Sequence, residues 1–556
     1  MIENVTYNTI QHPTIGRIKG ISRIPGVSQF LGIQYATLSS RFSRGEMLES
    51  YSHEGVLDAT EVGPNPLGPA NGCEMEHRLI QHSLPFSEYR QSDTKCLTLN
   101  MAVPAHEDGN ALPVLVFIHG GAFTAGSSSF PHYDFARITN LSLELEKPMI
   151  VVGVNYRLGV PGFLHSSSME AAGCKPNNGL DDQRLALRWV KCHIAGFGGD
   201  PKQVTFIGES AGGASGCFHL HSDEPLFHQF ISMSGTSLLR ARKPALLENS
   251  FATITNIFGT GDLPPREQVQ NLVDLPLDEL RAKVGRHIPI GPMLDGDFIS
   301  EVTTFKALVN DDNTKRLFPG IYSCKRILVG DCQMDATPLA ARLANRTDVL
   351  SNTLINCLST VLKDVDPNLT PRIANAYGLD SAAASNPDES KRRVLKFGND
   401  ICFAAPAQFF ARAWSTSSIP GTAAFLYRFN CPNPWDGPWK SHATHVLDIA
   451  FALLNYTEYL SAGQRSAAER LAKDIITFVH GESPWEEYRY RTADGSMVYD
   501  AAAEGCDDLT KFVKKETPEE AGRRNFLQTI VPTELFDRLM DAWHMFMAFR
   551  GSNTKS

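Results

Sequence analysis

The fold prediction starts from one segment, Val204-Thr-Phe-Ile-Gly208-Glu209-Ser210-Ala211-Gly212. An apolar, β-branched run leads into a Gly-x-Ser-x-Gly pattern, and small residues continue beyond it. This combination is typical of a strand that turns sharply into a closely packed helix. On such a turn the serine hydroxyl is exposed, and glycines stand where neighbouring backbone leaves no room for a Cβ. Ser210 is therefore the predicted nucleophile.

Similar apolar runs occur on both sides of this segment, and each ends in a turn. They cover residues 114–118, 149–154, 230–234, 326–329 and 424–427. Continuous apolar strands suit a sheet that is buried on both faces. A helical pattern lies between two of them, at residues 180–195, with acidic side chains in its first turn. Alternating strands and helices predict an α/β fold with a large, mostly parallel central sheet flanked by helices.

The longest stretches between strands, at about residues 245–320 and 340–400, indicate helical elaborations of this sheet. Two further helical patterns cover residues 456–479 and 531–549. No internal repeat or linker divides the chain. We therefore expect one domain over residues 1–556, whose helical insertions form a cap over the active-site gorge.

Composition excludes several classes of protein. The chain has 556 residues, of which 42% are hydrophobic and 20% are charged, so it is neither disordered nor fibrous. A net charge of −9 argues against a nucleic-acid partner, and eleven cysteines are too few for a disulfide scaffold. The sequence has no HExxH motif, no paired CxxC motif and no nucleotide-binding glycine motif. It predicts no metal and no cofactor.

The first residues lack the apolar stretch of a secretory signal, and no run approaches the ~18 apolar residues of a membrane span. We expect a cytoplasmic protein that acts on a small molecule, with secretion only if a leader was removed. Monomer and homodimer are both compatible with the sequence.

A serine nucleophile also needs hydrogen-bond donors for the oxyanion that forms when it attacks. His119-Gly120-Gly121-Ala122-Phe123 follows a predicted strand about 90 residues before Ser210 and is similar to the HGGG-type loop of esterases and lipases. The backbone N–H groups of Gly120, Gly121 and Ala211 are predicted to converge on the oxyanion.

In their order, these motifs resemble the type-B carboxylesterase and cholinesterase-like family of α/β-hydrolases. The resemblance runs through nearly the whole chain and includes Phe30-Leu-Gly-Ile-Gln-Tyr-Ala36, Arg41-Phe42, Cys96-Leu-Thr-Leu-Asn100, Asn155-Tyr-Arg-Leu-Gly159, Asn178-Gly-Leu-Asp-Asp-Gln183 and Phe197-Gly-Gly-Asp-Pro201. It implies the α/β-hydrolase fold and ester hydrolysis through a serine acyl-enzyme. We expect an intracellular member from a fungus or another microbe.

The resemblance also implies the other two members of a catalytic triad. The acid position falls on Asp335 in Gly330-Asp-Cys-Gln-Met-Asp-Ala336, where the family commonly has Glu followed by Gly. The shorter Asp side chain requires a closer backbone, and Asp331 in the same turn is the alternative. The histidine position falls on His445, with the nearby His442 as its alternative.

Side chains close to the matched segments are candidates for contact with the substrate. Glu209 adjoins the nucleophile, and the aromatic candidates are Phe123, Phe298, Phe403, Trp435 and Trp439, which are equally at home in a core. Cys73 and Cys96 stand where secreted relatives form a disulfide. In a reducing compartment we expect free thiols instead.

These residues favour hydrolysis of a carboxylic ester with water as the acyl acceptor. An acyltransferase or thioesterase of a biosynthetic pathway would use the same triad and is the alternative. A non-catalytic, cholinesterase-like interaction protein is disfavoured, because such proteins typically lack the serine or the histidine that this sequence retains.

Overall fold

The computed structural model describes residues 5–51, 55–105, 109–346, 348–381, 386–502, 505–514 and 526–549. The strands are β1 (Thr6–His12), β2 (Gly16–Ile24), β3 (Val27–Gln34), β4 (Ala36–Thr37), β5 (Glu46–Met47), β6 (Val56–Asp58), β7 (Thr98–Pro104), β8 (Leu112–Ile118), β9 (Ile150–Val154), β10 (Gly199–Glu209), β11 (Gln229–Met233), β12 (Arg326–Cys332), β13 (Ala423–Phe429), β14 (Ser496–Tyr499) and β15 (Lys511–Val513).

The α-helices are α1 (Gly72–Ile80), α2 (Ala136–Glu144), α3 (Gly159–Phe163), α4 (Ser167–Ala171), α5 (Asn178–His193), α6 (Ala211–His219), α7 (Pro244–Ile257), α8 (Pro265–Asp274), α9 (Leu277–Lys283), α10 (Phe305–Leu308), α11 (Asp311–Leu317), α12 (Ala340–Leu343), α13 (Leu350–Leu362), α14 (Leu369–Tyr377), α15 (Pro387–Asn399), α16 (Ala405–Ser415), α17 (Leu447–Ala452), α18 (Ala462–Val479), α19 (Phe526–Ile530) and α20 (Phe536–Ala548). Helices α7 to α11 and α12 to α15 occupy the two stretches for which the sequence predicts helical elaborations.

In the described part of the chain, thirteen strands form one sheet in the order β1-β2-β3-β7-β9-β8-β10-β11-β12-β13-β14-β15, with β6 beside β2. The seven strands from β9 to β14 in this order pair in parallel. This confirms the predicted mostly parallel α/β fold. Strands β1, β2, β3 and β7 pair antiparallel, which the sequence analysis did not predict. Strands β1 and β2 are partly exposed and lack the continuous apolar runs that predict the central strands.

Strand β8 shows why the central strands are apolar throughout. All seven of its residues are buried. Val114, Val116 and Ile118 enter the core on one face of the sheet, while Leu115 and Phe117 enter a second core on the other. A strand covered by helices on both faces has no position at which a polar side chain reaches water.

Two predicted helices have different bounds in the structure. Helix α5 begins two residues earlier and ends two residues earlier than the 180–195 pattern. Helix α18 begins at Ala462 rather than at residue 456, because Ser461 and Gln464 form a reciprocal capping box that fixes its first turn. The preceding residues Thr457–Tyr459 form a short 3₁₀ turn. None of the helices in the described ranges is both long and apolar enough to cross a membrane.

The order of the strands brings the predicted site residues to one edge of the sheet. Ser210 follows β10, Asp335 follows β12 and His445 follows β13. These strands run parallel and are separated only by β11, so their carboxyl ends lie side by side. Ligand sites of open α/β sheets form at this edge.

Candidate active site

Ser210 lies on the turn between β10 and α6 in a strained backbone conformation, with φ 54° and ψ −116°. Its N–H donates to the Met233 carbonyl oxygen at 2.8 Å, which ties the turn to the neighbouring strand. A Cβ on Gly208 would lie 2.3 Å from the Gly212 carbonyl group, and a Cβ on Gly212 would lie 1.9 Å from Ile118 O. Both positions of the motif therefore require glycine, because the neighbouring backbone leaves no room for a Cβ.

The loop after β8 passes close to Ser210. A Cβ on Gly120 would lie 2.9 Å from the Cβ of Ser210. Gly121, Ala122 and Phe123 all have positive φ, at 96°, 55° and 61°, so three successive residues adopt left-handed backbone. This geometry places the predicted oxyanion loop beside Ser210.

The backbone donors of this loop are available to a ligand. The Gly121 carbonyl oxygen accepts the N–H groups of Thr124 and Ala125, each at 3.1 Å, and so points back into the loop. Within the described ranges, the N–H groups of Gly120, Gly121 and Ala211 donate to no protein oxygen. Unused donors that lie close to a nucleophile are what an oxyanion site needs.

His119 anchors the start of this loop. Its Nδ1–H donates to the Gly120 carbonyl oxygen at 2.9 Å, and its ring stacks on Tyr156 with centroids 4.6 Å apart. The Tyr156 hydroxyl donates to His119 O at 3.0 Å. Burial lowers the pKa of His119 to about 4, so this ring is neutral. His119 and Tyr156 therefore hold the start of this loop in position.

Asp335 and His445 are hydrogen-bonded to each other. His445 Nδ1–H donates to Asp335 Oδ1 at 2.9 Å, and the second carboxylate oxygen accepts the Cys332 N–H at 2.7 Å. The backbones of the two loops are joined because the Met334 N–H donates to Ala443 O at 2.8 Å. Because the two loops lie this close, the short Asp335 side chain reaches His445, as the sequence analysis required.

The two alternative residues have other partners. Asp331 Oδ1 accepts from Arg428 Nη1 at 2.7 Å, and both side chains are buried. His442 Nδ1 lies 3.1 Å from the Lys440 carbonyl oxygen. The structure therefore brings Asp335 and His445 together, and it directs Asp331 and His442 elsewhere.

The other ring nitrogen of His445 faces Glu209. Nε2 lies 3.2 Å from Glu209 Oε1 in an ion-pair contact, and this carboxylate is buried. Ser210 and His445 are both described, and no hydrogen bond joins the serine hydroxyl to Nε2 in this structure. Catalytic hydrogen bonds of this kind are often long or poorly aligned until substrate binds.

Charge controls the protonation of His445. Burial acts to lower the pKa of His445, but the carboxylates of Glu209 and Asp335 oppose it and raise that pKa to about 9. Burial in turn raises the pKa of Glu209 well above its ordinary value. Glu209 stabilises the imidazolium only while it is ionised, so the two groups titrate together.

A further buried carboxylate lies behind the histidine. Asp448 Oδ2 accepts the Tyr427 hydroxyl at 2.7 Å and the Ser234 hydroxyl at 3.4 Å. Burial and the neighbouring charge of Asp335 raise the pKa of Asp448 to about 6. The sequence analysis gave Asp448 no role, although a carboxylate three residues after a predicted catalytic histidine was visible.

Of the predicted aromatic side chains, Phe403 contacts His445. Its ring meets the His445 ring edge-on, with centroids 5.4 Å apart, from a π-helical segment at Asp400–Ala404. Phe123 packs against Phe163 from within the oxyanion loop.

The other three aromatic candidates pack elsewhere. Phe298 lies 3.9 Å from the Arg184 guanidinium, and Trp435 stacks on His82 with centroids 4.9 Å apart. The backbone N–H of Trp439 donates to Gln81 Oε1 at 2.8 Å.

A cavity of about 330 Å³ borders the oxyanion loop. Its wall includes Thr124 and Gly159, and the Gly159 N–H donates to Phe123 O at 2.8 Å. Most of the remaining wall is apolar, with side chains such as Met75 and Ile288. The Arg286 guanidinium lies on this wall and donates to Thr124 Oγ1 at 3.1 Å.

Some motifs that carry the family resemblance are structural. Arg157 and Asp182 form a fully buried, bidentate ion pair, with Nη2–Oδ1 at 2.7 Å and Nε–Oδ2 at 2.8 Å. Arg157 Nη1 also donates to the carbonyl oxygens of Arg41 and Ser43. These contacts join three distant segments below the active-site edge.

Comparison with known proteins agrees with this geometry. The model of the carboxylesterase family matches residues 6–528. A para-nitrobenzyl esterase of Bacillus subtilis (strain 168) is 39% identical over 478 residues, which are 83% of this chain and 84% of that protein. The cholinesterase of Mus musculus is 34% identical over 313 residues, which are 52% of this chain and 48% of that protein. A solved PNB esterase structure superposes with a TM-score of 0.69 at 25% identity, covering 93% of this chain and all of that one.

Proposed function

The chain belongs to the carboxylesterase family and is a serine hydrolase of carboxylic esters, and from this premise we propose that Ser210, His445 and Asp335 form its catalytic triad. The hydrogen bond of 2.9 Å between His445 and Asp335, on the same sheet edge as the strained Ser210 turn, is the observation that carries the assignment. The neutral His445 accepts the proton of Ser210 as the hydroxyl attacks the ester carbonyl carbon. Asp335 holds the imidazole by its Nδ1–H and stabilises the imidazolium that forms.

Gly120, Gly121 and Ala211 supply the donors for the oxyanion of the tetrahedral intermediate. Their N–H groups lie around the Ser210 turn and have no protein acceptor within the described residues. Each such donor contributes about 3 kcal/mol of transition-state stabilisation in serine hydrolases.

The imidazolium then protonates the leaving alcohol, and the acyl group stays on Ser210. Water attacks this acyl-enzyme, with His445 again taking the proton. Transfer of the acyl group to another alcohol or to a thiol stays the alternative prediction for this last step. We propose that the apolar cavity beside the oxyanion loop receives an apolar part of the ester.

A covalent phosphonate tests the assignment of the nucleophile. We expect an activated alkyl phosphonate ester to inactivate the protein with a stoichiometry of one, because the tetrahedral phosphonate oxygen occupies the oxyanion site. Mass spectrometry of the digested protein should find the adduct on the peptide that contains Ser210. An adduct on another serine, or inactivation without an adduct, would contradict the proposal.

The pH profile tests the role of Glu209. The base must be neutral to act, so kcat/KM should rise with pH through the pKa of His445, which lies near 9. In Glu209→Gln the imidazolium loses the charge 3.2 Å from Nε2, and the pKa of His445 falls. The rising limb of kcat/KM should therefore move to lower pH by about one pH unit or more.

A matched control for this experiment is Glu224→Gln, which removes a carboxylate that pairs with Arg188 at the surface. Its pH profile should coincide with that of the unmodified protein. An unchanged rising limb in Glu209→Gln would show that Glu209 is neutral throughout the working range.

A further inference from the structure

A group of three metal-binding side chains lies outside the proposed active site. Cys73 and His77 stand one turn apart on the same face of α1, and His132 approaches them from the 3₁₀ turn Pro131–Tyr133. One ligand atom from each side chain lies within 4.8 Å of the other two. All three side chains are buried. Sequence motifs did not reveal this group, because His132 is remote in the chain from the other two.

His132 is oriented as metal-binding histidines are. Its Nε2–H donates to Glu76 Oε2 at 2.8 Å, and its Nδ1 is buried without a hydrogen-bond partner in the described part of the chain. A histidine that donates one N–H to a carboxylate carries a lone pair on its other nitrogen, which is the arrangement that orients metal ligands. The His132 ring is fully buried, so this nitrogen is not in contact with bulk solvent.

The charges at this position also favour a cation. Glu76 is buried, and its Oε2 accepts the hydrogen bond from His132. A divalent ion would balance the Glu76 carboxylate together with a Cys73 thiolate, leaving the buried group without net charge.

We propose that Cys73, His77 and His132 bind a zinc ion, with Glu76 holding His132 in the coordinating orientation. One thiolate and two imidazoles are ligands that zinc prefers, and three protein ligands leave one tetrahedral position for water. Bond lengths of about 2.0–2.3 Å place a zinc-bound sulfur and nitrogen about 3.5 Å apart. Cys73 Sγ lies 4.0 Å from both ring nitrogens of His77, so the His77 ring must rotate for one of its nitrogens to share a zinc ion with the sulfur.

The ion has a route to this site. Cys73 lines a cavity of about 350 Å³ whose wall also carries Glu74 and Glu88. Carboxylates on the wall of a cavity attract a cation. Zn²⁺ replaces the thiol proton of Cys73, this proton passes to solvent, and no electron is transferred.

The expected consequence is structural. The ion joins α1 to the segment that contains His132, and α1 also carries Met75, which lines the cavity beside the oxyanion loop. Binding to the folded state alone stabilises it. The site thus fixes one wall of the proposed substrate cavity, and it is independent of the triad assignment.

Cobalt substitution in the full-length, reduced protein tests the proposal. We expect the metal-free protein to bind one Co²⁺ per chain with the absorption band of a cobalt–thiolate bond, and Zn²⁺ should displace the band. Cys73→Ser should abolish the band, and His77→Gln or His132→Gln should weaken metal binding at least tenfold. Glu76→Gln should weaken binding by about 10–100-fold, as loss of a partner of a metal-bound histidine does.

Matched controls are Cys431→Ser and His221→Gln, which alter a buried cysteine and a buried histidine outside the group. Both should keep the band and the affinity. A band of unchanged strength in Cys73→Ser, or no thiolate band in the unmodified protein with excess Co²⁺, would overturn the proposal.

A measurement on the unmodified protein does not depend on how the variants fold. Zn²⁺ should slow alkylation of Cys73 at least tenfold, and mass spectrometry of the digested protein reports this rate for each cysteine. The rate at the exposed Cys192 should not change. Equal alkylation of Cys73 with and without Zn²⁺ would also overturn the proposal.

Discussion

Ser210→Ala should reduce turnover of a p-nitrophenyl ester by about 10⁵-fold or more, because no other group can form the acyl-enzyme. The effect is large because the hydroxyl is the group that attacks the ester, whereas the backbone around it is fixed by its own contacts. The turn holds φ at 54°, and a Cβ on Gly235 would lie 1.8 Å from the Ser210 carbonyl oxygen. Alanine fits the same backbone as serine, so the fold and the oxyanion donors should survive the substitution.

His445→Ala should cost a similar factor, because Ser210 then has no base. In the double variant the losses should not add, since the two residues perform one proton transfer. The initial rate of each purified variant at saturating substrate measures the loss of turnover. The thermal unfolding midpoint of each variant checks that it is folded.

A control for these variants is Ser142→Ala. Ser142 is a buried serine on α2 whose hydroxyl donates to Thr139 O at 2.6 Å, far along the chain from the site. Its turnover should stay within a factor of two of the unmodified protein. Substantial turnover in Ser210→Ala would exclude Ser210 as the nucleophile.

The parts of the fold that follow from local rules were visible in the sequence. Continuous apolar strands such as β8 predict a sheet covered on both faces, and the structure confirms the mostly parallel arrangement. The glycines at 208 and 212 predict backbone contact, and Ile118 O supplies it for Gly212. The antiparallel strands β1 and β2 do not follow from the same rule, because their partly exposed positions break the continuous apolar run.

The site shows a different limit. Asp331 and Asp335 have the same side chain in one turn, and only the neighbouring strand distinguishes them, since it presents Arg428 to one and the loop with His445 to the other. Similarly, Phe298 and Phe403 are both aromatic residues near matched segments. Phe298 lies over an arginine, whereas Phe403 lies against His445. This difference depends on packing between elements that are remote in sequence.

The two aspartates provide the second large effect. Asp335→Asn should reduce kcat by about 10⁴-fold, because an amide N–H facing Nδ1 favours the imidazole tautomer that cannot accept the Ser210 proton. The protein should remain folded, since Asn keeps the volume and can still accept the Cys332 N–H that now lies 2.7 Å from Oδ2. The rising limb of kcat/KM should also move to lower pH, because the imidazolium loses a charge 2.9 Å away and the pKa of His445 falls.

Asp331→Asn should act on stability instead. It removes the negative charge from a fully buried contact with Arg428, so the free energy of unfolding should fall by on the order of 3 kcal/mol. The kcat of the folded protein should stay within about tenfold, because Asp335 still orients His445. Urea unfolding and kcat, measured on both variants, separate the two roles. Asp335→Asn should mainly lower kcat, and Asp331→Asn should mainly lower the free energy of unfolding. The opposite pattern, with kcat lost in Asp331→Asn and retained in Asp335→Asn, would assign the triad acid to Asp331.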